Sequence, residues 1–563
     1  EDEKTQTSLY VLFNWPGYGS LGQQVVLPNL THALVYNWNG DNAGPRNSSD
    51  YRQNWKAIQS MFPNAQIVAS TLDNFTSQLD SVRDQLPVIT ADIGDTWVYG
   101  VPSDPQKVAR MAAMERVWSK HDLLNLDDHI LRNASRFALK LGEHTDGRDV
   151  KSYLKDNTNW KNVDFDRARA TGGVNASQYA ALETSWWEQR QWGISTAVDT
   201  LKSLQHPMYA DIMKEFEALG VSVPDVSTGF SVGKANVAYS CGQSSLTFGD
   251  DGSISSMSDK SNSSMSGEKM WADEAHLLAA IRYRTYSSSD VKHFQNSYCK
   301  SNASWVNHDY GKPNMPKDTL GKIWTPRMDQ LYVEKPTTTS CTFILHATFE
   351  EVATNDYGAM SDIWTNVTVL VESNGGLKKV YVAMNMMNKT TTRLPESLFV
   401  QFHPLLGHGG GGTGGSGEVL SSWEVNELGS WSSPNDIVNG GSKRQFGSNM
   451  VRVKDENGSQ MSITSVDTVV SSFGKLQGYP IPTNETADTS HFGMSFLLSN
   501  NLWGTNYLQW FPITGAPPAA YSSAADYFPT EFNADLLSRF ELSIEHVPHD
   551  EHGPKKVPVD KDE

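Results

Sequence analysis

Three short loops within the first hundred residues combine carboxylates with aromatic or amide side chains. They are Trp38-Asn39-Gly40-Asp41-Asn42, Thr71-Leu72-Asp73-Asn74 and Asp92-Ile93-Gly94-Asp95-Thr96-Trp97. Flat aromatic faces stack on sugar rings, and carboxylates or amides bind hydroxyl groups, so this combination is typical of a carbohydrate pocket. Asp and Asn are also common turn and capping residues, so each of them alone has a structural explanation as well.

The segments that would position these loops alternate between strand and helix patterns. Apolar runs predict strands at residues 9–13, 32–36, 65–69 and 86–90. Helices are predicted between them, at residues 51–61 and 75–85. The runs predict buried, parallel strands in a β-α-β-α-β unit. In such folds the functional loops follow the carboxyl ends of the strands.

Helical periodicity replaces this alternation over residues 105–220. Pro105 suits the first position of a helix and follows Ser103-Asp104. Helices are predicted from Pro105 through Trp118, at 123–141 and at 178–204. The polar turn Glu143-His144-Thr145-Asp146-Gly147 lies between the second helix and the third. We expect a helical bundle inserted after the α/β unit.

From about residue 226 onward the pattern is that of β structure. Predicted strands include residues 237–239, 343–348, 366–371, 380–384 and 398–402. The Ser-rich residues 253–266 predict a mobile loop, and the Gly-rich residues 407–417 predict either a linker between β subdomains or a loop. No Gly-Lys-Ser/Thr follows these glycines, so they do not form a nucleotide-binding loop.

The predicted fold class is therefore a multidomain α+β protein. The expected divisions are part of a β/α barrel in residues 1–104, a helical bundle in 105–222, a large antiparallel β-sandwich region in 223–545 and a flexible tail in 546–563.

Composition indicates a globular, acidic chain. Of its 563 residues 38% are hydrophobic and 10% aromatic, and the formal net charge is −18. This charge disfavours a nucleic-acid backbone or an anionic membrane as the main partner. No apolar stretch is long enough to span a bilayer.

Cysteines and glycosylation sequons bear on the compartment. The chain has three cysteines, Cys241, Cys299 and Cys341, and no pair of them has the spacing of metal ligands. Because their number is odd, the simplest interpretation is one disulfide plus one free or intermolecular thiol. Eleven Asn-X-Ser/Thr triplets begin at Asn29, Asn47, Asn74, Asn133, Asn175, Asn262, Asn302, Asn366, Asn388, Asn457 and Asn484. A chain rich in Asn, Ser and Thr contains several by chance. Their spread over the whole length nevertheless favours a secreted, vacuolar or lysosomal glycoprotein whose signal peptide has been removed.

Four motifs carry a resemblance to a known family. They are Asp95-Thr96-Trp97, Ser103-Asp104-Pro105, Glu143-His144-Thr145-Asp146-Gly147 and Leu502-Trp503-Gly504-Thr505-Asn506. In this order, across an α/β unit, a bundle and a β-sandwich, they resemble the later portion of an uncharacterised family related to glycoside hydrolase family 38, the zinc-dependent retaining α-mannosidases. The resemblance runs from about residue 8 to about residue 545.

The resemblance implies a set of site residues. His144 would be a zinc ligand, although a loop histidine at a helix end is the alternative. Asp95 and then Asp92 would be acid/base groups, with Asp41 and Asn42 as hydroxyl binders. Trp38 and Trp97 would be ring platforms, and Trp503 and Asn506 would reach in from the β region. Ordinary packing is the alternative for each tryptophan loop.

The sequence also departs from that family. The His-x-Asp pair that begins the zinc site in those enzymes does not occur before residue 100, where His32 in an apolar run is the only histidine. About four strands precede the bundle, too few to close a barrel. We therefore expect the other zinc ligands on a separate N-terminal fragment of the same precursor, or their loss. Two functions follow: a zinc-dependent glycosidase acting on α-mannosides or related glycans, or a non-catalytic carbohydrate-binding or structural glycoprotein on the same scaffold.

Overall fold

A computed structural model describes most of the chain. The described residues are 8–12, 21, 24–37, 44–89, 91–94, 96–121, 128–142, 147–260, 268–299, 304–337, 339–373, 375–406, 422–438, 441–455, 459–482 and 485–546. The Gly-rich residues 407–417 and the predicted tail after residue 546 lie outside them. The chain divides into two compact units, residues 1–91 and 92–563.

The first unit contains two helices and one short strand pair. The helices are α1, Ser48–Met61, and α2, Leu72–Leu79, followed by a 3₁₀ turn at Asp80–Gln85. The side chains of Asn47 and Thr71 accept backbone N–H groups and cap the two helices. The strands β1, Gln24–Val25, and β2, Leu34–Val35, pair in antiparallel fashion. The two predicted helices are thus confirmed.

The predicted parallel strands of this unit are not formed by its described residues. Residues 8–12, 65–69 and 86–89 have no strand pairing, and the side chains of Val68 and Val88 are 65% and 69% exposed. An apolar run becomes a strand only when another strand satisfies its backbone groups. The expectation of a β-α-β-α-β unit was therefore wrong for these residues, and the barrel assignment stays a prediction.

Helices dominate the first part of the second unit. Their bounds are α3 Pro105–Lys120, α4 His129–Ala138, α5 Val150–Tyr153, α6 Asn162–Ala170, α7 Val174–Arg190, α8 Thr196–Ser203 and α9 Met208–Glu217. A π turn at Gln191–Ser195 joins α7 to α8. The long helix predicted at 178–204 is therefore confirmed, because residues 178–203 are helical. A 3₁₀ segment, Thr96–Ser103, precedes α3, and the side chain of Asp104 caps α3 by accepting the Lys107 N–H. Trp186 and Trp187 of α7 are fully buried.

The rest of the second unit is mainly antiparallel β structure. Its strands are β3 Phe230–Val232, β4 Ala238–Cys241, β5 Ser244–Phe248, β6 Ile254–Asp259, β7 Lys269–Ala272, β8 Ala280–Thr285, β9 Lys322–Trp324, β10 Arg327–Glu334, β11 Ser340–Thr348, β12 Met360–Val371, β13 Leu377–Lys389, β14 Glu396–Phe402, β15 Ser422–Glu427, β16 Ser430–Ser432, β17 Gln445–Phe446, β18 Met450–Lys454, β19 Ser459–Ser465, β20 Ser471–Phe473, β21 Met494–Asn500 and β22 Leu536–His546. Short helices interrupt them: α10 Ser288–Ser297, α11 Ser304–Asp309, α12 Glu351–Asn355 and α13 Thr489–Phe492. Further 3₁₀ turns lie at Leu139–Gly142, Ala519–Asp526 and Thr530–Phe532.

These strands form three antiparallel sheets. The orders are β16-β15-β18-β19-β22-β13-β12-β11-β10-β3, β17-β20-β21-β14-β8-β9 and β4-β5-β6-β7. In β12 and β13 buried positions alternate with half-exposed ones, as expected when one face of a sheet packs on the core. The predicted large antiparallel β region is confirmed.

The Ser-rich segment was predicted wrongly in its first half. Residues Ile254–Asp259 form β6, which pairs with β5 and β7, and the side chains of Ile254 and Met257 are buried. Pairing on both sides outweighs the low strand propensity of serine. Residues 261–267 lie outside the described part.

One disulfide joins two of the sheets. Cys241 of β4 and Cys341 of β11 are bonded, with 5.9 Å between their Cα atoms, and Cys299 is free and half-buried. The expectation of one bridge and one remaining thiol is thus confirmed. No helix among the described residues is both long and apolar enough to cross a membrane.

Candidate functional site

The predicted site residues fall into two groups. Those outside the described residues are Trp38, Asp41, Asn42, Asp95 and His144. Those within them are Asp92, Trp97, Trp503 and Asn506. The second group can be placed, and its members separate into two locations.

Residues 502–507 form a loop that contacts the segment around Trp97. The rings of Trp97 and Trp503 meet edge to face at 6.5 Å between centroids. The Tyr507 hydroxyl donates to the Trp97 carbonyl oxygen at 3.1 Å, and the Leu508 N–H donates to Ser103 Oγ at 3.2 Å. The fold thus brings three of the four motifs together across more than 400 residues of sequence.

The same loop contacts the end of the polar turn before α5. The Asn506 amide donates to the Gly147 carbonyl oxygen, and Gln189 Nε2 donates to the Asn506 carbonyl oxygen at 3.3 Å. A Cβ on Gly147 would lie 2.7 Å from the Asn506 carbonyl oxygen, and one on Gly504 would lie 2.0 Å from the Asp309 carbonyl oxygen. Both glycines are therefore required by close packing. We call the place where residues 97, 147–151, 309–310 and 503–507 meet the motif junction.

The two tryptophans of the motif junction differ in what they offer. Trp503 is 6% exposed, and its ring packs against Tyr99 at 5.5 Å and Tyr310 at 4.8 Å. Neighbouring rings therefore surround it, and it supports the loop. Trp97 is only half-buried and is the aromatic side chain that could present a surface to a ligand.

Asp309 lies at the centre of the motif junction. Its Oδ2 accepts from Thr505 Oγ1 at 2.9 Å and lies 3.4 Å from Lys151 Nζ. Lys151 also lies 3.0 Å from Asp149 Oδ1, so one ammonium group holds two carboxylates. The Asp309 side chain is 1% exposed, and its Oδ1 is buried without a hydrogen-bond partner among the described residues.

Burial and charge act in opposite directions on these groups. Burial raises the pKa of Asp309, although the ammonium of Lys151 partly counteracts this. Burial lowers the pKa of Lys151, but Asp149 and Asp309 outweigh it and raise that pKa. A buried carboxyl with a raised pKa beside a fixed cation and a second carboxylate is an arrangement that can hold or transfer a proton.

Sequence reasoning missed Asp309, Asp149 and Lys151. Asp309 ends the six-residue helix α11 in the run Asn307-His308-Asp309-Tyr310-Gly311. Nothing in that spacing predicts burial, because α5 and the loop at 502–507 supply its surroundings. Only the nearby motifs at 143–147 and 502–506 pointed to this part of the fold.

Asp92 belongs to a different location. Its N–H donates to the Asp436 carbonyl oxygen at 3.0 Å, and its carbonyl oxygen accepts from the Val438 N–H at 2.9 Å. Burial and the neighbouring carboxyl of Asp92 raise the pKa of Glu427 to about 8. The sequence predicted one functional loop containing both Asp92 and Trp97. In the structure Asp92 pairs with Glu427, and Trp97 lies at the motif junction.

A cleft of about 570 Å³ lies beside α11. It is lined by side chains of α10 and α11 and by residues 311–315, including Lys292, Gln295, Asn307 and Asn314. Its volume is in the range of small-molecule sites. Its lining has amides, hydroxyls and two lysines, Lys292 and Lys312, but no carboxylate, so it offers hydrogen-bond donors and acceptors to a polar ligand.

The described residues do not supply a set of metal ligands. Within them no group of three or more His, Cys, Asp or Glu side chains could hold a metal ion. These residues alone therefore do not fit the zinc site that the family-38 resemblance implies.

Comparisons with known proteins give one family match. A family model described as a domain of unknown function (DUF5054) matches residues 101–373, just under half of the chain. The match includes Asp149, Lys151 and Asp309 but not Trp97 or the loop at 502–507. No curated protein matches.

Several solved structures resemble the chain loosely. A GalM/aldose epimerase homologue from C. elegans is 11% identical, covers 56% of this chain and 100% of its own, and has a TM-score of 0.25. A galactose mutarotase-like protein from Lactobacillus casei is 10% identical, with coverages of 56% and 100% and a TM-score of 0.27. A putative mutarotase from Salmonella typhimurium is 8% identical, with coverages of 60% and 100% and a TM-score of 0.25.

Proposed function

We propose that this protein binds glycans at the motif junction and processes them by carboxyl acid–base chemistry. One observation carries the proposal: half-buried Trp97 lies in the same cluster as the buried carboxyl of Asp309 and the Lys151–Asp149 pair. An aromatic surface with fixed carboxylates is the usual chemistry of a sugar site.

The proposed roles follow from the environments of the groups. Trp97 stacks on a sugar ring. Asp309 donates a proton to a leaving oxygen, because burial favours its neutral form. Asp149 is the second carboxylate, as two carboxyl groups in different environments are what glycoside hydrolysis needs. Lys151 positions both.

Two features support a secretory glycoprotein. The seven sequon asparagines among the described residues are Asn29, Asn47, Asn74, Asn133, Asn175, Asn366 and Asn388, and none of them is buried. The Cys241–Cys341 bridge fits an oxidising compartment. We extend the proposal to secreted, vacuolar or lysosomal placement, tested by release of N-glycans from natural material.

The finer proposal is hydrolysis of α-mannosides with zinc. It rests on the family-38 resemblance and on His144, which lies outside the described residues, and it needs ligands from an N-terminal fragment of the precursor. Zinc would supply Lewis-acid stabilisation and orient sugar hydroxyls. Stoichiometric zinc in native material, lost on His144→Ala, would support this. The roles given to Trp97 and Asp309 do not depend on it.

Binding is tested with Trp97→Ala in titrations with α-mannosides and a panel of other glycans. We expect affinity to fall about tenfold or more, since a stacked aromatic contributes about 1 kcal/mol or more beyond its buried area. Trp431→Ala is the matched control, because this half-buried tryptophan packs on Arg452 in the ten-stranded sheet, away from the motif junction. Equal loss in both variants, or in neither, would overturn the assignment.

Catalysis is tested with Asp309→Asn. Turnover should fall about 100-fold or more, as expected for loss of a general acid, while glycan affinity is retained. Asp455→Asn is the control, because Asp455 is also fully buried beside a lysine, Lys269 at 2.7 Å, but outside the motif junction. Unchanged turnover in Asp309→Asn would remove the acid role.

The cleft beside α11 favours a second candidate, non-catalytic glycan binding. Its amide lining can bind hydroxyl groups without any proton transfer. Under this alternative Asn307→Ala and Gln295→Ala weaken binding, Trp97→Ala does not, and intact native material hydrolyses no glycan.

A further inference from the structure

Two arginines, Arg444 which is buried and Arg284 which is mostly buried, bind consecutive carbonyl groups of one backbone segment. Arg284 of β8 donates from Nη1 to the Leu476 carbonyl oxygen at 2.8 Å, and Arg444 donates from Nη1 to the Lys475 carbonyl oxygen at 2.6 Å. The Arg284 guanidinium carbon lies 5.0 Å from the Tyr286 ring, and both arginine charges act on the Tyr286 hydroxyl, so the two guanidinium groups lie near each other. Arg444 is 6% exposed, and the Arg284 side chain is 20% exposed.

These two positive charges have little compensation within the described residues. The nearest carboxylate oxygen to Arg284 is Asp290 Oδ1, 3.9 Å from Nη2, and Arg444 has no ion pair there within 4 Å. Glu485, which acts on Arg444 from a greater distance, is exposed. Arginine keeps its charge in proteins, so a buried pair of like charges needs a counter-charge.

Several donors at this place have no partner in the part of the chain that the structure describes. There, the Nε atoms of Arg284 and Arg444 and the hydroxyl of Tyr479 are buried without a hydrogen-bond partner. Tyr479 packs against the ring of Tyr286 at 5.2 Å, and Tyr286 in turn lies 5.0 Å from the Arg284 guanidinium carbon. Buried polar groups in native proteins are satisfied almost without exception, by protein, water or an ion.

We propose that Arg284 and Arg444 bind a small inorganic monovalent anion of the size of chloride. Two free Nε–H groups and a free hydroxyl are donors, and the net charge of the cluster is positive, which favours an anion over water. Burial lowers the pKa of Arg444, and the charge of Arg284 adds to this, as expected for a site where negative charge is missing.

The anion would stabilise the layer behind the motif junction. Tyr99 stacks on Trp503 at 5.5 Å, and its hydroxyl accepts a hydrogen bond at 3.0 Å from Ser442, two residues before Arg444. The site does not depend on any activity of the protein, so it stands or falls separately from glycan binding.

The test is thermal unfolding of the full chain during a chloride titration at constant ionic strength, with gluconate as the replacing anion. We expect a saturable rise of Tm with chloride, because a ligand that binds only the folded state stabilises it by mass action. In Arg444→Gln the chloride concentration for half of the effect should rise about tenfold or more, since one partner of a buried charged contact is lost. Arg452→Gln, which removes a partly exposed arginine paired with Glu424, should behave as wild type.

A second variant covers the case in which Arg444→Gln does not fold. Tyr479→Phe removes only the unpaired hydroxyl and should shift the chloride midpoint about threefold to tenfold, the value of one hydrogen bond. Crystals soaked in bromide should show an anomalous peak between the two guanidinium groups. A Tm that does not saturate with chloride, an unchanged midpoint in the folded variants, or a bromide-free site filled by water would overturn the proposal.

Discussion

The carboxylate of Asp104 accepts two hydrogen bonds from Arg190, to Oδ2 from Nε and to Oδ1 from Nη2, each 2.8 Å long. The two side chains are 2% and 0% exposed. Asp104 also caps α3, while Arg190 ends α7, so the pair ties the start of one helix to the end of another. The Ser103-Asp104-Pro105 motif therefore has a structural role, which is to join α3 to α7, and it is not part of the motif junction.

Asp104→Ala should lower the free energy of unfolding by about 3–5 kcal/mol, because it leaves the Arg190 charge buried without a partner. Urea denaturation followed by circular dichroism measures this. Asp164→Ala is the control, since its pair with Arg167 is 3.1 Å long but 45% and 64% exposed; its cost should stay below about 1 kcal/mol. Similar losses in the two variants would show that Asp104 is not buried as described.

Glu427 should make stability fall as pH rises. Burial and the neighbouring Asp92 raise its pKa from 4.5 to about 8 in the folded protein. The unfolded chain therefore releases this proton first, so the stability contributed by Glu427 is complete below about pH 4.5 and is lost progressively up to about pH 8. In Glu427→Gln this loss disappears, and the variant should gain about 1–2 kcal/mol relative to wild type between pH 5 and pH 8.5, allowing for solvent screening.

Glu424 on the same strand is the control for that measurement. Burial alone would raise its pKa, but Arg452 and Lys454 outweigh burial and lower it. Its contribution is therefore present above the unfolded value of 4.5 and is lost only as pH falls further. Glu424→Gln should shift stability by a constant amount from pH 5 to pH 8.5. Parallel pH profiles for Glu427→Gln and wild type would contradict the Asp92–Glu427 pair.

Thr505→Val should destabilise the motif junction by about 1 kcal/mol, because it removes one hydrogen bond from Asp309 Oδ2 while Lys151 Nζ stays 3.4 Å away. The Thr505 hydroxyl is 2.9 Å from Asp309 Oδ2 and 3.0 Å from the Tyr310 hydroxyl, and valine has the same shape without it. Thr200→Val, at a half-exposed helical hydroxyl outside the sequons, should change stability by less than about 0.5 kcal/mol. A wild-type stability for Thr505→Val would mean that the Lys151 ammonium alone satisfies Asp309 Oδ2.

Local signals in the sequence were enough for some elements of the fold. Helix α3 was predictable because Asp104 caps it and Pro105 suits its first position. The segments at 65–69 and 86–89 were not, because an apolar run does not say whether another strand pairs with it. Likewise Ile254–Asp259 is a strand because β5 and β7 flank it, which its serines do not reveal.

The motif junction was predictable only in part, for a related reason. Trp97, Gly147 and Trp503 lie in short motifs whose glycines and aromatic residues are unusual together. Asp309 lies in an ordinary polar run, and its burial depends on Lys151, which is 158 positions away, and on the loop at 502–507. The raised pKa of Asp309 results from burial by residues distant in sequence, so the spacing of neighbouring residues could not predict it.

The Cys241–Cys341 bridge should contribute about 4–5 kcal/mol to stability, because it closes a loop of 100 residues and so restricts the unfolded chain. Guanidinium denaturation of the double variant Cys241→Ser/Cys341→Ser measures the loss. Cys299→Ser is the control: its half-buried thiol is free, so this change should cost less than about 1 kcal/mol. Thiol titration of the denatured protein should find one reactive group before reduction and three after it. Three groups without reduction would show that the bridge is absent, and the support it gives to a secretory compartment would then be lost with it.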